Sequence, residues 1–216
     1  PERTVWLKLT SEAYPRLSVV RAVTDDETSG RVYAGPYSSR ADAQEAAAAI
    51  TEATGLRACT QRLRPGHRAA GCVLGQIGRC AAPCDGELPP AAYAGIASSA
   101  RQVMLGDTTL VDEAIAVRMS GLAAQERFEQ AAMWRNRLDA AVLGIRSSAQ
   151  LRAFGQVRQI VAATSRPGGW DIHVIRHGRL AGATFCPVGH DPYAAVEAVV
   201  TAAEHVDPPI SPDTSA

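Results

Sequence analysis

Apolar and polar positions alternate over Val5 to Leu9 (VWLKL), and Leu17 to Val23 (LSVVRAV) is rich in β-branched residues, so each predicts a strand. Pro15 marks the turn between them. Arg31 to Tyr33 starts a third strand that Gly35-Pro36 is expected to stop. Ser38 or Ser39 then caps an alanine-rich helix to about Thr54, with Gly55 just past its end. The opening therefore reads β, β, β, α.

From Leu56 to Pro90 no period holds, and something other than a large apolar core must fix that stretch. Helical patterning resumes from Ala91 to about Leu105 and breaks at Gly106-Asp107. Thr108 or Thr109 caps the next helix, and a last one runs from about Phe128 to Ile145 with Phe128, Ala131, Ala132, Leu138 and Val142 near one face. So short a link between them predicts an antiparallel αα-hairpin over about 109–145. Trp170 to Arg176 alternates strictly, and His177-Gly178 leads into Leu180 to Phe185, which predicts a β-hairpin. Asp191-Pro192 opens a helix over Tyr193 to His205, and the Pro- and Ser-rich tail 207–216 is expected to be loose. Trp6 and Trp170 are expected in the core, and Cys186 as a buried strand residue. The fold class predicted is α+β. Its segments are β/α over 1–55, a cysteine-bearing irregular stretch over 56–90, helical over 91–146 and α/β over 147–206.

The 22 basic and 22 acidic side chains cancel, so no overall field drives the chain toward nucleic acid or membrane. Local charge says more. From Ala53 to Cys84 there is no Asp or Glu, while Arg57, Arg62, Arg64, Arg68 and Arg79 are all present beside His67. Arginine forks suit phosphate; an arginine-rich, alanine-rich composition also follows from a GC-rich genome. No apolar run reaches the roughly 18 residues of a membrane span, and no signal peptide is visible, so a cytoplasmic location is expected. A chain opening on Pro1 is expected to be part of something longer.

Cys59, Cys72, Cys80 and Cys84 give the spacing C-x12-C-x7-C-x3-C inside the same acid-free stretch. Four thiolates brought together need a metal or cluster to neutralise them. Structural zinc prefers two short ligand loops, and this spacing supplies one. An iron–sulfur cluster tolerates uneven spacing, and Pro83 beside Cys84 is compatible with it. Disulfides suit the even count but not an intracellular setting. Four small buried residues with no common ligand is the remaining alternative.

The run Cys72-Val-Leu-Gly-Gln-Ile-Gly-Arg-Cys80-Ala-Ala-Pro-Cys84 resembles the cysteine-rich segment of the UvrC family, the nuclease subunit of bacterial nucleotide excision repair. Tyr14 to Leu17 and Tyr33 to Ser38 resemble the stretch after that family's GIY-YIG nuclease domain, and Leu56 to Cys59 its next block. Arg127 to Ala132, with Arg135 and Asn136, is similar to the UVR motif, a helical hairpin that docks the partner UvrB. Asn136 stands where that motif usually has Asp, which weakens a salt bridge across the hairpin.

The resemblance implies a four-iron, four-sulfur cluster on Cys59, Cys72, Cys80 and Cys84, with structural zinc as the alternative. The acid-free stretch itself suggests phosphate contact through Arg57, Arg62, Arg64, Arg68 and Arg79, with compensation of the cysteine thiolates by some of them as the alternative and Arg62, Arg64 and His67 as the better candidates for DNA; the hairpin suggests partner docking through Phe128, Glu129 and Arg135. The opening β/α segment then corresponds to the flank of a nuclease domain lying upstream. No complete active site is expected in these residues: the GIY-YIG residues have no equivalents, and Asp171 and His173 lack the further carboxylates a metal-dependent nuclease needs. Similar modules also follow DEDDh-type exonuclease domains, and Ile175 to Leu180 looks more like that arrangement. A zinc-stapled adaptor without nuclease role is the reading from a different class.

Overall fold

A computed structural model describes residues 4–24, 32–66, 68, 72–77 and 79–208. The expectations for Arg31, His67 and the tail beyond 208 lie outside the described residues. The architecture is α+β, as the sequence predicts, and the chain divides into two compact units, the first ending at Ala149 and the second starting at Gln150.

In the first unit β1 (Val5–Leu9) is the centre of an antiparallel sheet, paired with β2 (Leu17–Val20) on one side and β3 (Val32–Tyr37) on the other. The alternation read in β1 is real: Val5, Leu7 and Leu9 are buried and the residues between them half-buried. Two strand boundaries differ from the sequence reading. β2 stops at Val20, three residues early. β3 runs through Gly35-Pro36 instead of ending there, because it is an edge strand and the N–H that Pro36 lacks is not needed by a neighbour.

Helix α1 (Arg40–Thr54) starts at Ser39, whose Oγ accepts the Asp42 N–H at 3.1 Å, and ends at Gly55 in the left-handed region (φ 74°). Its buried face is Ala43, Ala46, Ala49 and Ile50. Such small side chains let the helix approach closely, and α1 packs on all three strands and on two further helices, α3 (Pro90–Leu105) and α4 (Thr109–Ala124). The described residues between α1 and α3 are irregular, as the lack of period predicts, apart from the single turn α2 (Val73–Gln76).

Three residues join α4 to α5 (Phe128–Gln156). Glu126 at the bend has φ 58°. The Arg118 guanidinium of α4 lies 5.6 Å from the Trp134 ring centre of α5, and the two residues are equidistant along the chain from Glu126, the pairing of an antiparallel hairpin. The inward face of α5 is Ala131, Trp134, Leu138, Ala141, Ile145 and Ser148, spaced alternately three and four residues apart. The helix outlasts the expected end at Ile145. Gly144 and Ser148 serve packing: Ser148 Oγ accepts the Gly35 N–H at 2.8 Å and lies 3.0 Å from the Gly144 carbonyl.

In the second unit three strands form an antiparallel meander, β4 (Ile160–Arg166), β5 (Gly169–Arg176) and β6 (Arg179–Pro187), with α6 (Pro192–Ala202) on β6 and β5. The expected hairpin is thus one strand larger: β4 is mostly alanine, threonine and serine and carries little apolar signal. Ile172, Val174, Cys186 and Val199 make its core. Trp170 is 47% exposed, so its expected place in the core is wrong; it follows Gly168-Gly169 at the start of β5. Asp191 caps α6 through the Tyr193 N–H at 2.9 Å. At the other end Arg176 donates to the carbonyls of Val200, Ala203 and Glu204, each at 2.9 Å, placing a cation where the helix dipole is negative.

Candidate metal and nucleic-acid site

Leu56 and Arg57 carry the chain out of α1 into the interior, and both are fully buried. Arg57 forms an isolated parallel bridge with Arg16, and its N–H donates to the Tyr93 hydroxyl at 2.9 Å, which donates in turn to the Pro15 carbonyl. The guanidinium is consumed locally: Nε donates to Tyr14 O (2.7 Å), while Nη1 reaches Gln61 O (2.8 Å), Cys59 O (3.0 Å) and Cys59 Sγ (3.2 Å). Its Nη2 lies 3.0 Å from Glu12 Oε1. Of the two expectations for Arg57, phosphate contact and compensation of the thiolates, its wholly enclosed side chain suits the second, since it presents no donor at the surface.

Cys72 precedes α2, and the amides of Gly75 and Leu74 lower its thiol pKa, with a smaller contribution from the neighbouring Cys84 thiol. Gly75 sits so close to Ala82 that an added Cβ would come within 2.8 Å of the Ala82 Cβ, so a glycine here lets the Cys72 turn approach the Cys80–Cys84 turn. Cys80 Sγ accepts the Ala82 N–H at 3.4 Å, and Ala82 takes the left-handed conformation (φ 49°) that this turn requires. Burial raises the Cys80 pKa, and so do the charges of Cys59, Cys72 and Cys84. Cys84 is buried, and its pKa is raised by that burial and then by Cys72 and Cys59.

Cys80 thus feels the other three thiols and Cys84 feels Cys72 and Cys59, and none of the five cysteines is in a disulfide. Among the described residues no three His, Cys, Asp or Glu side chains form a ready metal-ligating group. The donor chemistry nevertheless fits a soft metal or an iron–sulfur cluster: there are four sulfurs, and three of them receive hydrogen bonds or amide dipoles that favour thiolate. Cys186 is a buried strand residue of β6, as expected.

The remaining arginines differ in availability. Arg79 pairs with Glu52 at 3.0 Å and lies 5.8 Å from the Trp134 ring centre; Arg68 pairs with Glu87 at 2.9 Å on the surface. Arg62 and Arg64, on the loop between the first two cysteines, are exposed and have no ion pair among the described residues. On the hairpin Trp134 is buried under Arg79, Arg118 and Arg137, with Glu52 and Glu45 as their counter-ions. Phe128 and Met133 are 64% and 46% exposed, and Glu129 and Arg135 are exposed too. Sequence reasoning missed Glu12 and Tyr93 as parts of the site, since each is tens of residues from Arg57 along the chain and no local signal links them. Among the described residues, no helix is long and apolar enough to cross a membrane.

Residues 4–103 match the family model described as UvrC/Cho excinuclease, middle domain. A protein of Mycobacterium tuberculosis whose name describes a bifunctional exonuclease/endonuclease is 35% identical over 98% of this chain and 32% of its own length. UvrABC system protein C of Geobacter metallireducens is 32% identical over 80% of this chain and 28% of its own, and that of an Anaeromyxobacter species 35% identical over 69% and 20%. The chain thus spans about a third or less of these relatives. No solved structure matches it. With the cysteine segment lying inside the matched residues and UvrC proteins aligning beyond them, the chain is recognised as UvrC-like, its residues 4–103 matching the UvrC/Cho excinuclease middle domain.

Proposed function

We propose that these residues form the non-catalytic middle part of a UvrC-like DNA-repair nuclease, contacting DNA beside a cysteine-held inorganic centre and docking a protein partner through the α4–α5 hairpin. The observation that carries this reading is that Cys59, Cys72 and Cys84 all act on the Cys80 thiol, in a segment whose Arg62 and Arg64 have no ion pair among the described residues. A bound four-iron, four-sulfur cluster would supply charge neutralisation and a cross-link to a segment with little core of its own; zinc would supply the same without redox capacity. Around it, Arg57 holds the Cys59 end, the Ala82 amide faces Cys80, and the Cys72 turn is seated by Gly75. Arg62 and Arg64 would meet phosphates, positioning DNA without reading its sequence. Arg68 and Arg79 would contribute less, since each is already ion-paired.

For partner docking the supporting observation is the exposure of Phe128 and Met133 on a hairpin whose Trp134 is already buried, flanked by exposed Glu129 and Arg135. A UvrB-type hairpin is the partner chemistry this suits, as an apolar anchor with charges of both signs around it. The parent is better read as an exonuclease fusion than as an excision nuclease with two centres, because the relative matched over 98% of the chain is named for both activities.

The test is binding of the iron- and sulfide-loaded chain to fluorescent branched and duplex DNA across a salt series. The double variant Arg62→Ala, Arg64→Ala is expected to weaken binding for all sequences alike and to reduce the salt slope by about 2, one per lost phosphate contact. An unchanged slope rejects the assignment of these two residues. A colourless chain that holds zinc and ignores DNA would favour the adaptor reading.

A further inference from the structure

We infer that Arg57 is a positioning residue for the sulfur of Cys59, orienting it toward the inorganic centre and offsetting its charge; this rests on the reading of the four cysteines proposed above. A guanidinium with no exposed surface is costly unless its donors are matched and its charge is met. Three carbonyls, those of Tyr14, Cys59 and Gln61, take three of its hydrogen bonds without contributing charge. Glu12 is the one carboxylate paired with it among the described residues, and that carboxylate is shared with Arg16 at 3.6 Å and with the Thr10 hydroxyl at 2.8 Å. The Nη2 group makes the ion pair but no aligned hydrogen bond. The cation is therefore only partly compensated by its carboxylate, and the remaining acceptor within its reach is Cys59 Sγ at 3.2 Å. A neutral thiol is a weak acceptor, whereas a metal-bound thiolate is a strong one.

The fork decides the geometry. Nη1 clamps the Cys59 carbonyl, the Cys59 sulfur and the Gln61 carbonyl together, fixing both the backbone and the rotamer of the ligand, while Nε and Nη2 anchor the same group to Tyr14 and Glu12. Lysine would keep the charge but could not span these acceptors. The charge lies between a sulfur on one side and a carboxylate on the other. Removing the arginine or removing the carboxylate must then change the field at the sulfur in opposite directions.

The experiment uses the full chain loaded anaerobically with ferrous iron and sulfide, reading iron loss to a chelator and the reduction potential of the bound cluster. Arg57→Gln is expected to lose iron about tenfold faster or more, in line with outer-shell partners of metal ligands, and to lower the potential, since a nearby cation favours the more negative, reduced state. Arg57→Lys should restore the potential but not the retention. Glu12→Gln, which leaves every Arg57 hydrogen bond in place, should raise the potential without faster loss. Faster loss in Arg57→Lys with the potential restored separates orientation of the sulfur from charge alone. Should Arg57→Gln fail to fold, the Glu12→Gln potential decides: a rise supports the assignment, and no change or a fall overturns it. A parent that loads normally, with variants indistinguishable from it, overturns the role of Arg57 alone. A parent that takes up no iron overturns the centre and this role together.

Discussion

Tyr93 stands between two backbone groups that would otherwise be orphaned in the interior. Its hydroxyl donates to the Pro15 carbonyl and accepts the Arg57 N–H, each at 2.9 Å, and its ring meets Tyr14 edge-on with centroids 5.4 Å apart. Burial pushes its pKa up to about 12, against the smaller opposing effects of the Arg57 backbone hydrogen bond and charge. A raised phenol pKa means that the fold prefers the neutral form. The corresponding stability is fully present below the ordinary tyrosine value near 10 and is lost as pH rises through about 12. Tyr93→Phe removes the hydroxyl and strands both backbone partners, which should cost about 1–3 kcal/mol. Urea unfolding at neutral pH measures that loss. Repeating it at increasing alkalinity should show parent and variant converging above pH 10, and a gap that stays constant would mean the hydroxyl bears no such load.

Helix α5 shows how packing between elements overrides local propensity. A Cβ at Gly144 would collide with the Oη, Cζ and Cε1 atoms of Tyr37, so the helix touches β3 through a residue that is poor for helices in isolation. Replacing Gly by Ala favours a helix by about 1 kcal/mol, but forcing a methyl group into a filled contact costs about 1–3 kcal/mol. Tyr37 is buried on β3, in a region pinned by Ser148 against Gly35, and has little freedom to move aside. The collision should win, and Gly144→Ala is expected to lower the midpoint of the transition of the first unit; an increase would show that the ring yields. This contact also explains why the end of α5 was not legible from sequence. Glycine and serine carry the same letters whether they break a helix or admit a neighbour, and only the tertiary partner distinguishes the two. The elements set by local signals, such as β1, the Ser39 and Asp191 caps and the Gly55 stop, were legible; β4, with its small residues, was not. At the site the four cysteines could be read because they share one short segment, while the enclosure of Arg57 could not, being made by Glu12, Tyr14 and Tyr93 from distant parts of the chain.

The two units hold separate apolar clusters of very different size. The first is built from every strand of its sheet and from α1, α3, α4 and α5, whereas the second rests on Ile172, Val174, Cys186 and Val199 with a few half-buried neighbours. Since the surface that folding removes from water scales with size, so small a unit should be the less stable of the two. Unfolding of the whole chain should then depart from two-state behaviour, with a smaller transition at lower temperature assigned to the residues after Ala149. Ile172 and Ile145 provide the test, as both are nearly fully enclosed, one in each cluster. Truncating a buried isoleucine to alanine costs about 2–5 kcal/mol. Ile172→Ala should therefore move or abolish only the first calorimetric transition, and Ile145→Ala only the second. A single transition that shifts with both variants would mean that the clusters melt as one cooperative body, and that the separation of cores has no energetic counterpart.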